Sequence, residues 1–382
     1  MVTVLQKPLF KQEYLEFIDF ENPYFTSDLI TYIGNKRRLL PFLNRAFLDV
    51  WRKLGKKKLR ILDGFSGSGV VSRLLKYYSK ELYVNDLEDY CETINKCYLA
   101  NESDVDLEYI NKKIEWLNNN KLDIKEQGFI ELNYAPKNDL NVKPGERVFY
   151  TNRNAKIIDN VRRLISRLPK LERHYFLAPL LVKASIHTNT SGVFKGFHKR
   201  NGVGHFGGNG ENALLRIKGE ISLDTPIFSN VECKVFMSKK DINSLVKDKN
   251  IPSFDLVYYD PPYNQHPYGS NYFMLNLINN YEPTEIQDGI SGIAKHWNRS
   301  DYNKYGEAEK ALDDLIENTE SKFIVFSYNN EGIIPVNDFK KILQRHGKYE
   351  LYTQEYNTYR GSRNLKNRDI KVTECLWVLE KR

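Results

Sequence analysis

Asp260-Pro261-Pro262-Tyr263 follows directly on the apolar run Phe254-Asp255-Leu256-Val257-Tyr258-Tyr259, which sets a carboxylate and an aromatic ring at the end of a buried strand. Two consecutive prolines fix the backbone and remove two N–H donors, so the loop carbonyls and the Asp260 carboxylate are left as acceptors. Such a site can hold an NH2 group. Tyr263 would offer a flat face to a base taken out of its stack. An ordinary turn, with proline presetting the backbone, is the competing reading of these four residues.

A second constellation begins at Arg60-Ile61-Leu62, a short apolar strand that runs into Asp63-Gly64-Phe65-Ser66-Gly67-Ser68-Gly69. The stretch beyond, through Leu74, Leu75, Tyr77 and Tyr78, has helical spacing. Glycine in such a turn lets a ligand approach the backbone closely. The next strand, Leu82-Tyr83-Val84-Asn85, ends in Asp86, close to the roughly twenty-residue offset at which nucleoside-binding sheets set an acid against ribose hydroxyls. The usual rival for a glycine turn is a dinucleotide, with its pyrophosphate on the helix N-terminus. Asp63 at the head of the turn would repel a pyrophosphate and suits a positively charged ligand such as S-adenosyl-L-methionine. Upstream, Tyr32-Ile33-Gly34-Asn35-Lys36-Arg37-Arg38 leads into an amphipathic segment from Leu39 to Leu48; taken alone it is a basic helix start.

In this order, the Gly-Asn-Lys segment, the glycine loop and then Asp-Pro-Pro-Tyr, the chain resembles the D12 class, or alpha group, of DNA adenine-N6 methyltransferases, the family that includes Dam. Residues 184–197, the continuation Asn264 to Tyr272, and the strings Phe326 to Gly332 and Tyr359 to Asn364 are similar to further blocks of that family. Gly204-His205-Phe206-Gly207-Gly208 departs from the Pro-Phe-Gly turn of relatives.

The resemblance implies an α/β fold, a Rossmann-like S-adenosylmethionine-dependent methyltransferase sheet with flanking helices and an inserted target-recognition domain. Residues 1–100 would form the N-terminal part of the catalytic domain and 101–175 the target-recognition insertion. Residues 176–382 would form the remainder, with a second insertion near 282–318. It assigns catalysis to Asp260, Pro261, Pro262 and Tyr263. Cofactor binding falls to Tyr32, Gly34, Asn35 and Lys36, to Asp63, Phe65, Ser66, Gly67 and Gly69 of the loop, and to Asp86. No metal is required. Aspartate at the head of the catalytic loop points to adenine, since cytosine-N4 enzymes usually carry Ser there and glutamine methyltransferases Asn. Adenine in RNA, or a catalytically silent nucleic-acid-binding module of the same fold, remain as alternatives.

Composition agrees with a nucleic-acid enzyme. Fifty-seven basic against 49 acidic residues give a formal charge of +8, which favours a polyanion through counterion release. The expected partner is double-stranded DNA, bound by a monomer in the cytoplasm of a bacterium or phage-infected cell, with a cognate restriction endonuclease encoded separately. The stretch 101–170 is rich in Asn and Lys and carries Arg153, Lys156, Arg162 and Arg163, residue types that read bases or contact phosphate and that equally cover solvated helix faces. His187, His198 and His205 share no ligand spacing with a carboxylate and do not read as a metal site. Cys91, Cys97, Cys233 and Cys375 lack metal or disulfide spacing and read as reduced, mostly buried thiols. The first thirty residues mix acids, aromatics and lysines without an apolar run, so neither a signal peptide nor a membrane span is expected.

The elements that must carry these groups are strand-like runs at 60–62, 82–85, 254–259, 323–327 and 373–379. They predict a mostly parallel sheet flanked by helices. In such sheets ligands lie beyond the carboxyl ends of the strands, where the glycine loop, Asp86 and Asp260 would converge.

Overall fold

The fold is described from a computed structural model covering Leu15, Ile30 and residues 18–27, 34–208, 213–282, 284–357 and 371–382. Its strands are β1 (Leu59–Asp63), β2 (Ser79–Asn85), β3 (Lys199–Arg200), β4 (Val203–Gly204), β5 (Lys234–Ser238), β6 (Phe254–Tyr259), β7 (Ser321–Asn329), β8 (Gly347–Asn357) and β9 (Lys371–Lys381). Seven of them make one sheet in the order β5-β2-β1-β6-β7-β9-β8, while β3 and β4 form a separate hairpin. The pairings from β5 through β7 are parallel, and β9 is antiparallel to both its neighbours. All five strands expected from the sequence are present. Besides the short β3 and β4, the two missed, β5 and β8, are the edge strands of the large sheet; with one long side open to solvent they lack the continuous apolar run that marks a central strand.

Helices cover both faces of the sheet. Helix α1 (Leu40–Lys53) and α2 (Val70–Tyr78) bury Leu43, Phe47, Val50, Leu74 and Leu75 against one face, on Ile61, Leu82, Leu256 and Val325. The other face, formed by Leu62, Val257, Ile324, Phe326 and Trp377, packs on a second pair of helices that carry Leu312, Leu315, Phe339 and Leu343. Alternate residues of each strand thus go to opposite cores, and the central strands read as unbroken apolar runs because both faces are covered.

Between β2 and β5 the chain is largely helical. Helix α3 (Asp89–Tyr98), α4 (Leu107–Asn119), α5 (Asn152–Ser166) and α6 (His174–Ile186) share a third core with α7 (Phe273–Asn280), which follows the catalytic loop. The boundary drawn at residue 175 falls at the start of α6, whose Phe176, Leu180 and Leu181 lie in that same core as Ile157 of α5. α8 (Glu307–Asn318) and α9 (Val336–His346) are the helices of the second sheet face. No helix among the described residues is long and apolar enough to cross a membrane, and the cysteines are buried free thiols.

Winding reverses between β1 and β6: β2 and β5 extend the sheet to one side of β1, β7 to the other. Asp63 is paired with Tyr258 across these two strands. A crevice must therefore open where the glycine loop and Asp260 leave the sheet.

Candidate active site

That crevice is a cleft of about 960 Å³, measured out to its open mouth. Gly34, Asn35 and Lys36 form part of its wall, with Phe65, Ser66 and Gly67 of the loop, Asp86 at the end of β2, and Asp260 and Pro262 after β6. Nine of the fourteen residues singled out in the sequence therefore share one cavity. Asp63, Gly69, Pro261 and Tyr263 stand behind or beside the wall, and Tyr32 lies outside the described residues.

Two glycines have specific local reasons. Gly69 caps α2 in the left-handed region at φ +77°, and a Cβ there would lie 2.3 Å from Asn95 Oδ1. Gly34, at φ +79°, leaves room for the Tyr263 hydroxyl, which would stand 2.8 Å from an added Cβ. The Gly-Asn-Lys segment and the catalytic loop are thus packed directly on each other. Asn35 opens the turn that follows, its side chain accepting from the Arg37 N–H at 2.8 Å.

Lys36 is buried, and its Nζ lies 3.2 Å from Asp260 Oδ1 and 3.0 Å from Glu374 Oε1. The same ammonium stands 5.3 Å from the centre of the Tyr263 ring. Burial and then the neighbouring Glu374 push the Asp260 carboxyl up to about 6, against the opposing pull of Lys36. Asp260 remains 19% exposed toward the cleft, whereas Glu374 is sealed from solvent. Tyr263 is half-buried, edge-on to Tyr328, with its carbonyl accepting from the Ile333 N–H at 2.9 Å.

The acids behind and beside the glycine loop share a trait. Asp63 is buried beneath the loop, its Oδ2 accepting from Ser72 at 2.5 Å while its Oδ1 has no hydrogen-bond partner. Burial, reinforced by the charges of Asp260 and Asp86, raises its carboxyl to about 7. Asp86 is raised too, chiefly by burial, although its oxygens accept from the N–H groups of Gly67 at 2.8 Å and Glu88 at 3.0 Å. Asp86 thereby pins the glycine loop. A carboxylate cluster with an unpartnered buried oxygen and unrelieved mutual repulsion is the surrounding a cationic ligand would relieve.

Sequence reasoning missed several wall residues. Glu88, two positions past Asp86, is buried in the same wall, pushed to about 7 by burial and then by Asp86. Its carboxylate accepts from Asn276 on α7, which ties the cleft to the helical unit. Asn298, Ser300 and Asn303, from the second excursion, also line the cleft; Asn298 donates to the Leu87 carbonyl at 2.7 Å and Asn303 to the Asn264 carbonyl at 2.6 Å. Glu374 had a legible signal, as an acid set between the apolar residues Val372, Leu376 and Val378 of one strand. What it pairs with was not legible.

Several basic residues of 101–175 serve the fold. Arg162 donates to the carbonyls of Ile278 and Asn279 at the end of α7, Arg163 to those of Glu126 and Gln127, and Arg153 pairs with Glu220. Asn189, in a block similar to the family, is fully buried and pins the loop that returns at His205 and Gly207. The β3–β4 hairpin, by contrast, exposes Lys199 and Arg200. Its stem is joined to the catalytic side, since the Phe194 N–H donates to the Asn271 carbonyl at 2.8 Å.

The profile of the D12 class N6 adenine-specific DNA methyltransferases matches residues 32–342. The chain belongs to that family. It is 30% identical to the type II methyltransferase M.NlaIII of Neisseria lactamica over 361 residues, covering 92% of this chain and 99% of that one. It is 26% identical to the type II methyltransferase M.CviAII of Paramecium bursaria Chlorella virus 1, covering 90% and 96%. Identity to the modification methylase StsI of Streptococcus sanguinis is 30%, over 92% of this chain and 52% of that longer protein. As a D12 methyltransferase the chain methylates the N6 amino group of adenine in DNA. The match runs from before the Gly-Asn-Lys segment to α9, so cleft wall, glycine loop and catalytic loop all lie within it.

Proposed function

We propose that Asp260, Pro261, Pro262 and Tyr263 receive the target adenine, and that Tyr32, Gly34, Asn35, Lys36, Asp63, Phe65, Ser66, Gly67, Gly69 and Asp86 form the site for S-adenosyl-L-methionine. The observation that carries this reading is the cleft itself, where three separated segments meet around buried carboxylates. S-adenosyl-L-methionine, when bound, supplies a methyl group on a positively charged sulfur. The acids behind and beside the glycine loop favour that charge, and the loop backbone admits the ligand closely.

Adenine must leave the helix to reach Asp260, at an unstacking cost of a few kcal/mol. Asp260 then accepts a hydrogen bond from the exocyclic amine, the Pro261 carbonyl accepts a second, and Tyr263 stacks on the ring. With its carboxyl at about 6, Asp260 is ionised at neutral pH and acts as an acceptor. These contacts draw the nitrogen lone pair out of the ring system and hold it for attack. The methylated nitrogen is transiently cationic and acidic, and its proton passes to Asp260 or to water. Positioning supplies much of the rate.

Further parts of the reading are a restriction-modification setting, duplex DNA as the bound form, and a cognate endonuclease carried separately; the type II relatives support these. We also read 101–175 as target recognition and 1–100 with 176–382 as the catalytic domain; 101–175 contributes to a helical core apart from the sheet, a core that α3, α6 and α7 share from outside those bounds. The test is incubation with radiolabelled S-adenosyl-L-methionine and unmethylated genomic DNA, followed by nucleoside analysis and methylation-sensitive sequencing. Label in N6-methyladenine at one recurring site is expected. A cofactor-binding protein that leaves DNA unlabelled would overturn the reading.

A further inference from the structure

One lysine serves two carboxylates in this site, and the three groups come from three distant parts of the chain. Lys36 stands just before α1, Asp260 just after β6, and Glu374 near the start of β9. The antiparallel course of β9 is what brings Glu374 there. Its first residues run beside the carboxyl end of β7, with Glu374 paired to Asn329, so an acid encoded near the C-terminus arrives at the rim where the parallel strands end.

Glu374 is held from two directions. Ser327 on β7 donates its hydroxyl to Oε1, and the Lys36 ammonium meets the same oxygen at 3.0 Å. Oε2 has no hydrogen-bond partner, and the side chain is sealed from solvent. A buried acid in that state is costly unless a charge nearby depends on it. Other groups facing Asp260 and Lys36 are Asp63 from β1 and the hydroxyls of Tyr258, Tyr263 and Tyr268; the hydroxyls of Tyr258 and Tyr268 are held far above their ordinary range by burial and stay neutral. Among the described residues Lys36 is thus the cation within reach, and it is divided between Asp260 and Glu374.

We infer that Glu374 is a positioning residue for methyl transfer: by drawing the Lys36 ammonium toward itself, it lets Lys36 orient Asp260 without neutralising it as an acceptor. The inference rests on the reading of Asp260 given under Proposed function. An undivided Lys36–Asp260 pair would compete with the adenine amine for the carboxylate. Sharing the cation weakens that competition, and Ser327 fixes how it is shared.

The test compares wild-type protein, Glu374→Gln and Ser327→Ala in methyl transfer to unmethylated duplex DNA from pH 5 to 9, beside cofactor affinity and thermal melting. Glu374→Gln keeps the volume and the acceptor for Ser327 while removing the charge. Turnover is expected to fall about tenfold or more, with the acid limb of the rate profile moving to lower pH by roughly half a unit or more, because Asp260 loses its like-charged neighbour. Affinity for S-adenosyl-L-methionine should stay within about twofold. Ser327→Ala strips Glu374 of its donor and should also move the limb, by less, and it decides the matter if Glu374→Gln does not fold. An acid limb at the wild-type position in the folded variants would overturn the inference, making Glu374 a packing residue whatever the rate. Wild-type protein that binds the cofactor but methylates no adenine would instead overturn the reading of Asp260, and this inference with it.

Discussion

The cleft beyond β1 and β6 and the helical unit between β2 and β5 both bury carboxylates, and they differ in how completely the oxygens are bonded. In the helical unit, Asp159 of α5 accepts from the N–H groups of Ile130 and Glu131 at 3.0 and 2.8 Å and from the Tyr281 hydroxyl at 2.7 Å. Both oxygens are engaged, and the group joins α5 to two other segments. In the cleft, Asp63 and Glu374 each keep a buried oxygen without a hydrogen bond; burial raises the carboxyls of Asp63, Asp86, Glu88 and Asp260 there, as it raises that of Asp159. A fully bonded buried polar group stabilises a fold, whereas an under-bonded one is tolerated where a ligand completes it. On that ground we read Asp63 and Glu374 as part of the working site and Asp159 as part of the frame.

The largest expected effect removes the working acceptor. Asp260→Ala should lower methyl transfer by at least roughly a hundredfold, as loss of a group that handles the transferred proton does. DNA binding, measured by fluorescence anisotropy, should stay within a few fold because it rests on phosphates. Turnover like that of the wild type would place the chemistry elsewhere.

The matching change in the helical unit should act on stability alone. Asp159→Ala leaves two backbone N–H groups and a tyrosine hydroxyl without their acceptor, at a cost of about 3 kcal/mol in denaturant unfolding. Turnover per folded molecule should be unchanged; a large loss there would show that the two regions are less independent than their cores suggest.

Asp86 sits between the two kinds, lining the cleft while pinning the Gly67 and Glu88 N–H groups. Asp86→Ala should weaken S-adenosyl-L-methionine binding by about 1–3 kcal/mol in calorimetry. Unchanged affinity would remove Asp86 from the cofactor site.

Acidification should do the same without mutation. Asp63 and Glu88 have carboxyls raised to about 7, so they are charged above that pH and neutral below it. Affinity for a cationic cofactor should therefore fall as pH drops from 8 to 6, by up to about tenfold per unit for each proton taken up. A flat profile would mean that these acids do not sense the ligand's charge. The smallest effect belongs to the hairpin. Lys199→Ala and Arg200→Ala should each weaken DNA binding a few fold and lower the salt slope by about 1. An unaltered slope would take the hairpin off the DNA path.

Much of this was written locally. The central strands were legible because burial on both faces demands unbroken apolar runs, and the glycine loop and Asp-Pro-Pro-Tyr were legible because each packs its chemistry into a few adjacent residues. Edge strands β5 and β8 were not, since an edge asks for no such run. Arg162 and Arg163 looked like candidates for reading DNA, yet their partners are backbone carbonyls of other segments. Charge in a sequence states what a residue can bond, and its neighbours in space decide what it does bond.

Family, reaction and the residue types at the catalytic loop can be read from the chain alone, because they depend on short strings that must remain contiguous to work. It took the folded chain to divide Lys36 between Asp260 and Glu374, to make room for Tyr263 at Gly34, and to bring Glu88 and Asn298 into the cleft wall. Those pairs are separated by more than a hundred residues in nearly every case, and they meet because a parallel sheet gathers strand ends from the whole chain at one edge, where an antiparallel strand adds a last acid.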